Sequence, residues 1–207
     1  MKIWDLPTRI YHWLQALLFT CLAMSGFFAV GPHEKFGLLL ATLLAWRIIW
    51  GFVGSETSRF RQFIRSPKSV VRYIKGEQEH NGIGHNPAGG WMVIIMLALL
   101  ITQCFIGLSM GGYFDAYLHD DSILYDMDLL ITLHVAFAYT LLGLVALHLS
   151  AIMVYNLRGK PLVKAMITGT QTTLTNSLSI SFRSNMRAAI LLAGLAGLVE
   201  LYLSVSI

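Results

Sequence analysis

Five apolar stretches, at roughly 8–29, 35–53, 91–110, 129–155 and 187–206, each hold about the 20 residues that an α-helix needs to cross a hydrocarbon core. In lipid every backbone N–H and C=O must be bonded internally, so a chain built from such runs folds as membrane-spanning helices. Composition agrees. Of 207 residues 56% are hydrophobic and 13% are charged, with mean hydropathy +0.63, against about 25% charged in ordinary soluble domains. The expected class is all-α: an integral membrane bundle of four core helices with a fifth at the C-terminus. The connecting segments leave little chain for a separate soluble domain.

The net charge of +4 and pI of 9.2 do not point to nucleic acid, because the basic residues follow a topological pattern. Lys2, Arg9, Arg59, Arg61, Arg65, Lys68, Arg72, Lys75, Arg158, Lys160, Lys164, Arg183 and Arg187 fall on one side. The other side has Lys35 and an acidic loop with Asp115, Asp120, Asp121, Asp126 and Asp128. The positive-inside rule then puts the N-terminus in the cytoplasm and the C-terminus of helix five outside. Trp4, Trp13, Trp46, Trp50 and Trp91 are expected at the cytoplasmic interface, and Tyr113 and Tyr117 at the other. The first apolar run continues from Ile10 to Val30, long enough to span, so a cleaved signal peptide is not expected.

Asp5 and Pro7 mark the start of helix one, and Gly31-Pro32 breaks the chain before helix two. Between helices two and three, Ser66-Pro67-Lys68 opens an amphipathic stretch over 69–75. It suits either an anionic leaflet or the flank of the bundle. Residues 76–90 and the Ser/Thr-rich 168–181 read as loop and link. The expected division is a core over 1–169, with a linker and C-terminal helix over 170–207.

Two histidines lie deep in helix four, His134 and His148, and a polar group in lipid marks function by default. Their spacing of 14 residues puts them about 21 Å apart on nearly one face, so one helix can serve two stacked sites. Each needs a partner at its own depth. His12, early in helix one, matches His148 on the cytoplasmic side, and His33, at the start of helix two, matches His134 on the outer side. A haem fits two axial imidazoles between helices, whereas zinc wants four close ligands. The chain has no C-x-x-C-H, so the haem is expected to be non-covalent haem b. Arg9 beside His12 and Lys35 beside His33 are candidates for pairing with haem propionates, or plain interfacial charges.

The remaining candidates have plainer readings. Cys21 and Cys104, in apolar helices, read as packing residues, as do Met24 and Met110. His85 reads as a loop or cap residue, and His80 and His119 as exposed. Gly37 and Gly143 are candidates for clearing space for porphyrin edges. Glu200 is the remaining charge within an apolar run.

Four segments together resemble the bacterial cytochrome b561 family, in the branch with hydrogenase-type cytochrome b subunits: Trp4-Asp5-Leu6-Pro7-Thr8-Arg9-Ile10-Tyr11-His12-Trp13; His33-Glu34 with Trp46-Arg47-Ile48-Ile49-Trp50-Gly51-Phe52-Val53-Gly54; Gly84-His85-Asn86-Pro87-Ala88-Gly89-Gly90-Trp91; and Leu147-His148 with Ala165-Met166-Ile167-Thr168-Gly169. The resemblance implies a four-helix core with two haem b groups, whose ligands match His12, His33, His134 and His148. It also implies electron transfer across the bacterial inner membrane between the quinone pool and a redox partner, such as a periplasmic c-type cytochrome or an oxidoreductase subunit. Helix five lies outside the resembling core. Two other readings stand beside this one. The first is a self-contained oxidoreductase passing electrons from a small donor such as superoxide to quinone, which the acidic outer loop disfavours. The second is a non-redox anchor or transporter.

Overall fold

In the computed structural model, residues 1–80, 83–119, 121–171 and 179–206 are described. Asp120 of the acidic loop and residues 172–178 of the Ser/Thr-rich link lie outside them. The long helices are α1 (Leu6–Phe28), α2 (His33–Val53), α5 (Pro87–Met110), α6 (Met127–Leu157) and α8 (Asn185–Ser206); short helices α3 (Phe60–Phe63), α4 (Pro67–Ile74) and α7 (Leu162–Thr168) lie between them. Among the described residues five helices are long and apolar enough to cross a membrane, and no strand forms. The chain is a multi-pass membrane bundle of the expected class.

Side-chain caps start α1 and α5. Asp5 caps α1 by accepting from Thr8 N at 3.1 Å, with Pro7 in the first turn. Asn86 caps α5 by accepting from Gly89 N at 2.7 Å, so Pro87 to Gly90 belong to the helix and not to the expected loop. Helix two begins at His33 itself.

The centre of the bundle is apolar. Leu40 and Leu44 of α2, Leu97 and Leu100 of α5 and Leu141 of α6 pack with Phe60 and Phe63. A second cluster joins Tyr11, Leu43, Trp46 and Trp50 to Ala188, with Leu191, Leu192 and Leu195 against it. Helix five of the sequence, α8, is thus packed on α1 and α2 as part of the bundle. Glu200 is exposed near its end, close to the point where Tyr202 O–H donates to the Tyr113 carbonyl.

The tryptophans correct one expectation. Trp46 and Trp50 stack at 5.4 Å and are buried inside the protein instead of lying in a lipid interface. Each indole N–H has a protein acceptor there, Ala188 O at 3.0 Å and Asp5 Oδ2 at 3.1 Å. Trp4 is buried as well.

The end of the bundle that carries the N-terminus is closed by a polar clasp. Asp5 also accepts from Ser58 Oγ at 3.3 Å, and Thr57 Oγ1 donates to Ile3 O at 2.7 Å. The extended N-terminus lies along the segment after α7, with Ile3 N donating to Gly169 O at 2.8 Å. Gly169 ends α7 at φ +79°, where a Cβ would stand 2.9 Å from Trp4 O, so both its conformation and the close approach need glycine. Helix α4 is the expected amphipathic stretch. Tyr73 ties it to the bundle through Tyr155 Oη at 2.9 Å, while Val71 and Ile74 stay exposed.

Candidate functional site

At the end opposite the N-terminus, α1, α2, α5 and α6 enclose a cavity of about 540 Å³. That is within the roughly 300–1,000 Å³ of cofactor pockets. Its walls are mainly aliphatic and aromatic, among them Phe19, Leu22, Leu100 and Leu142, and His33 and His134 both line it. The two imidazole centroids are 6.2 Å apart. A metal–imidazole bond of about 2 Å on each side of one iron would set two ring centres about 6 Å apart, so His33 and His134 are spaced as a pair that would hold one haem iron between them.

Neighbouring residues fit the same group. Ser25 Oγ is 2.8 Å from His33 Nδ1 and 3.1 Å from Leu22 O. With the hydroxyl donating to Leu22 O, its oxygen accepts from His33 Nδ1–H, which leaves the Nε2 lone pair for a metal. Gly26 and Gly107 make room for the rings: a Cβ would stand 3.3 Å from His33 Cε1 and 3.1 Å from His134 Cε1. Among the described residues no three His, Cys, Asp or Glu side chains converge as a bare ion would require. The donor set suits a macrocycle that brings four ligands of its own.

Three of these residues were not singled out as site residues from sequence. Ser25, Gly26 and Gly107 become visible only when the helices are packed, although Ser25 and His33 flank the α1–α2 turn. Of the two glycines expected to clear space, Gly37 lines this cavity, and at both Gly37 and Gly143 a Cβ would meet nothing within 4 Å. Cys104 lines the cavity with a free thiol, and Met24 points outward. Gly107→Val is expected to push His134 out of line and reduce haem retention at this site by about tenfold or more, read from haem per protein after purification.

The second histidine pair lies nearer the N-terminal end. His12 and His148 are within electrostatic reach of each other, and His12 Nδ1 is enclosed with no partner. Of the two expected propionate partners, Arg9 donates to Ile167 O and so clasps the end of α7, with its Nε unpaired. Lys35 is exposed and makes no hydrogen bond or ion pair among the described residues. The acidic loop is at the opposite end, where Asp121 lies 3.9 Å from an exposed His119.

His80 departs from the expected exposure, while His85 lies in the expected loop with its ring packed. His80 is half-buried with Nε2 unpaired, and burial lowers its pKa. The His85 ring is wedged between Trp4 and Phe63, each at 4.8 Å, with Nδ1 unpaired. Burial first, then the Arg47 charge, pushes His85 down to about 3. An unfolded chain binds this proton near pH 6.5 while the folded one does not until about 3, so stability is full above pH 6.5 and falls below it. Lowering the pH from about 7.5 to about 5 is expected to cost about 2 kcal/mol through this residue. Thermal midpoints in detergent check this, with His85→Gln flattening the slope.

A family profile described as prokaryotic cytochrome b561 matches residues 3–169. The "Probable Ni/Fe-hydrogenase B-type cytochrome subunit" of Rhizobium leguminosarum bv. viciae is 26% identical over 52% of this chain and 58% of its own length. The protein of the same description from Rhodobacter capsulatus is 24% identical over 55% of this chain and 58% of its own. The chain thus spans less than two thirds of the length of these relatives. No solved structure matches it significantly. With the profile covering α1 through α7, the chain belongs to the prokaryotic cytochrome b561 family.

Proposed function

We propose that this chain is the dihaem, electron-carrying membrane subunit of a redox system, with His33 and His134 holding one haem b and His12 and His148 a second. Membership of the family implies haem b and membrane electron transfer. The number of haems, the ligands and the partners are the proposal. Bound haem supplies one-electron cycling of iron between ferric and ferrous.

The single observation that carries the reading is the His33–His134 pair, 6.2 Å apart across an apolar cavity. The protein's own groups do the rest. Ser25 fixes the His33 tautomer, Gly26 and Gly107 admit the rings, and the aliphatic walls exclude water and so tune the site. Lys35, two residues beyond His33 and exposed, is the candidate partner for propionates at that end.

The basic end, with the N-terminus, lies in the cytoplasm by the positive-inside rule, and the acidic end faces the periplasm. Electrons then pass between quinone and a periplasmic partner. The described carboxylates Asp115, Asp121, Asp126 and Asp128 suit a basic partner, as some c-type cytochromes are. The curated relatives are hydrogenase cytochrome subunits by name, which supports an oxidoreductase subunit as partner.

Proteoliposomes test this. Quinol is expected to reduce the haems, and an added basic c-type cytochrome to reoxidise them at a rate that falls as salt rises. Haems that quinol leaves oxidised would contradict the quinone assignment, and a rate indifferent to salt would contradict the basic partner.

A further inference from the structure

We propose that Arg47 anchors the second haem by binding one of its propionate carboxylates, on the α2 side of the His12–His148 pair. The inference rests on the two-haem reading above.

Two helices carry the same pattern in the same direction. In α6 it is His134, Leu141, His148; in α2 it is His33, Leu40, Arg47. In each, the outer members are 14 residues apart, about 21 Å along nearly one face. The first members pair across the cavity at 6.2 Å, and the middle leucines, both buried, belong to one core cluster. The third members are therefore brought to one level of the bundle, where α6 presents a ligand and α2 presents a cation. His12 belongs to that level too: it lies within two turns of the start of α1, as Arg47 lies within two turns of the end of α2.

Arg47 is 3% exposed, and its Nη1 is buried with no partner. A guanidinium stays charged under all ordinary conditions, and an uncompensated one at this depth is costly. Its protein neighbours do not supply the missing anion. The Cζ lies 4.9 Å from the Phe60 ring centre and 6.0 Å from that of Tyr11, which gives cation–π contact only. Asp5 is within electrostatic reach, yet no ion pair forms within 4 Å, and its oxygens already accept from Thr8 N, Trp50 Nε1 and Ser58 Oγ. His85, whose Nδ1 is also unpaired, is in reach of Arg47, His12 and His148 together. A carboxylate arriving with the ligand of His12 and His148 satisfies the guanidinium fork in a bidentate pair. Arg9, the cation first expected in this role, has Nη1 committed to Ile167 O.

The test uses the full-length holoprotein in detergent. In Arg47→Gln the haem that disappears in His148→Ala is expected to show a reduced-to-oxidised ratio about tenfold lower at a given potential, a shift of roughly 59 mV for one electron. The other haem stays unchanged and Arg47→Lys restores most of the effect. Loading the wild-type chain with haem dimethyl ester, which lacks the carboxylates, is expected to fill this site about tenfold less well than haem, a preference that Arg47→Gln abolishes. Equal acceptance of ester and haem by the wild type, or an Arg47→Gln protein with both potentials unaltered or both shifted alike, would overturn the proposal. The ester comparison decides even if Arg47→Gln does not assemble. A wild-type chain with haem only between His33 and His134 would instead refute the two-haem reading and this inference with it.

Discussion

His134→Ala is expected to purify with about one haem per chain instead of two, retaining the haem between His12 and His148, and His148→Ala to retain the other. Losing one of two imidazole ligands weakens the hold on a non-covalent haem at that site alone. His134 shares its cavity with His33 alone among the proposed ligands, while Leu40 and Leu141 fill the bundle between the levels. Haem content and the reduced absorption spectrum, read together, report which site empties. Loss of both haems from each variant, in protein that still folds, would refute the pairing.

Asp5→Ala is expected to give the largest loss of stability from a single change outside the histidines, about 3 kcal/mol or more. Asp5 is 2% exposed, and its carboxylate accepts from Thr8 N, Trp50 Nε1 and Ser58 Oγ. Alanine strands these donors in a buried clasp, at about 1–3 kcal/mol for each that water cannot reach, and removes the cap of α1, worth about 1 kcal/mol. Asp5→Asn, which keeps an acceptor oxygen, is expected to lose less than half as much. Thermal unfolding in detergent compares the three proteins, and an alanine variant within about 0.5 kcal/mol of wild type would contradict the role given to the clasp.

The parts legible in the sequence were those with a strong local signal. Apolar length defined the five spans within a few residues, and Asp5 and Ser66 lie at helix starts for reasons visible in a few neighbouring residues, whereas the start of α5 at Pro87 fell inside the stretch read as loop. That His33 and His134 stand at one depth, 6.2 Å apart, was legible from the charge-derived topology, because helix geometry carries depth along a rigid rod. What depends on how helices rotate against one another was not legible. Trp46 and Trp50 have the composition of interface residues but turn inward, since α8 offers a carbonyl and Asp5 a carboxylate. His85 looks like a loop residue in Gly84-His85-Asn86, and only the approach of Trp4 and Phe63 from distant segments encloses it. Gly26 and Gly107 resembled any membrane glycine until the imidazoles were placed against them.

The central claim is two haems on two histidine pairs. A potentiometric titration of the purified protein, followed optically and normalised to haem per chain, tests it most directly. The account predicts two haem b per chain, two one-electron waves and the spectrum of bis-imidazole iron. A single wave with one haem per chain, or no reducible haem signal, would contradict it.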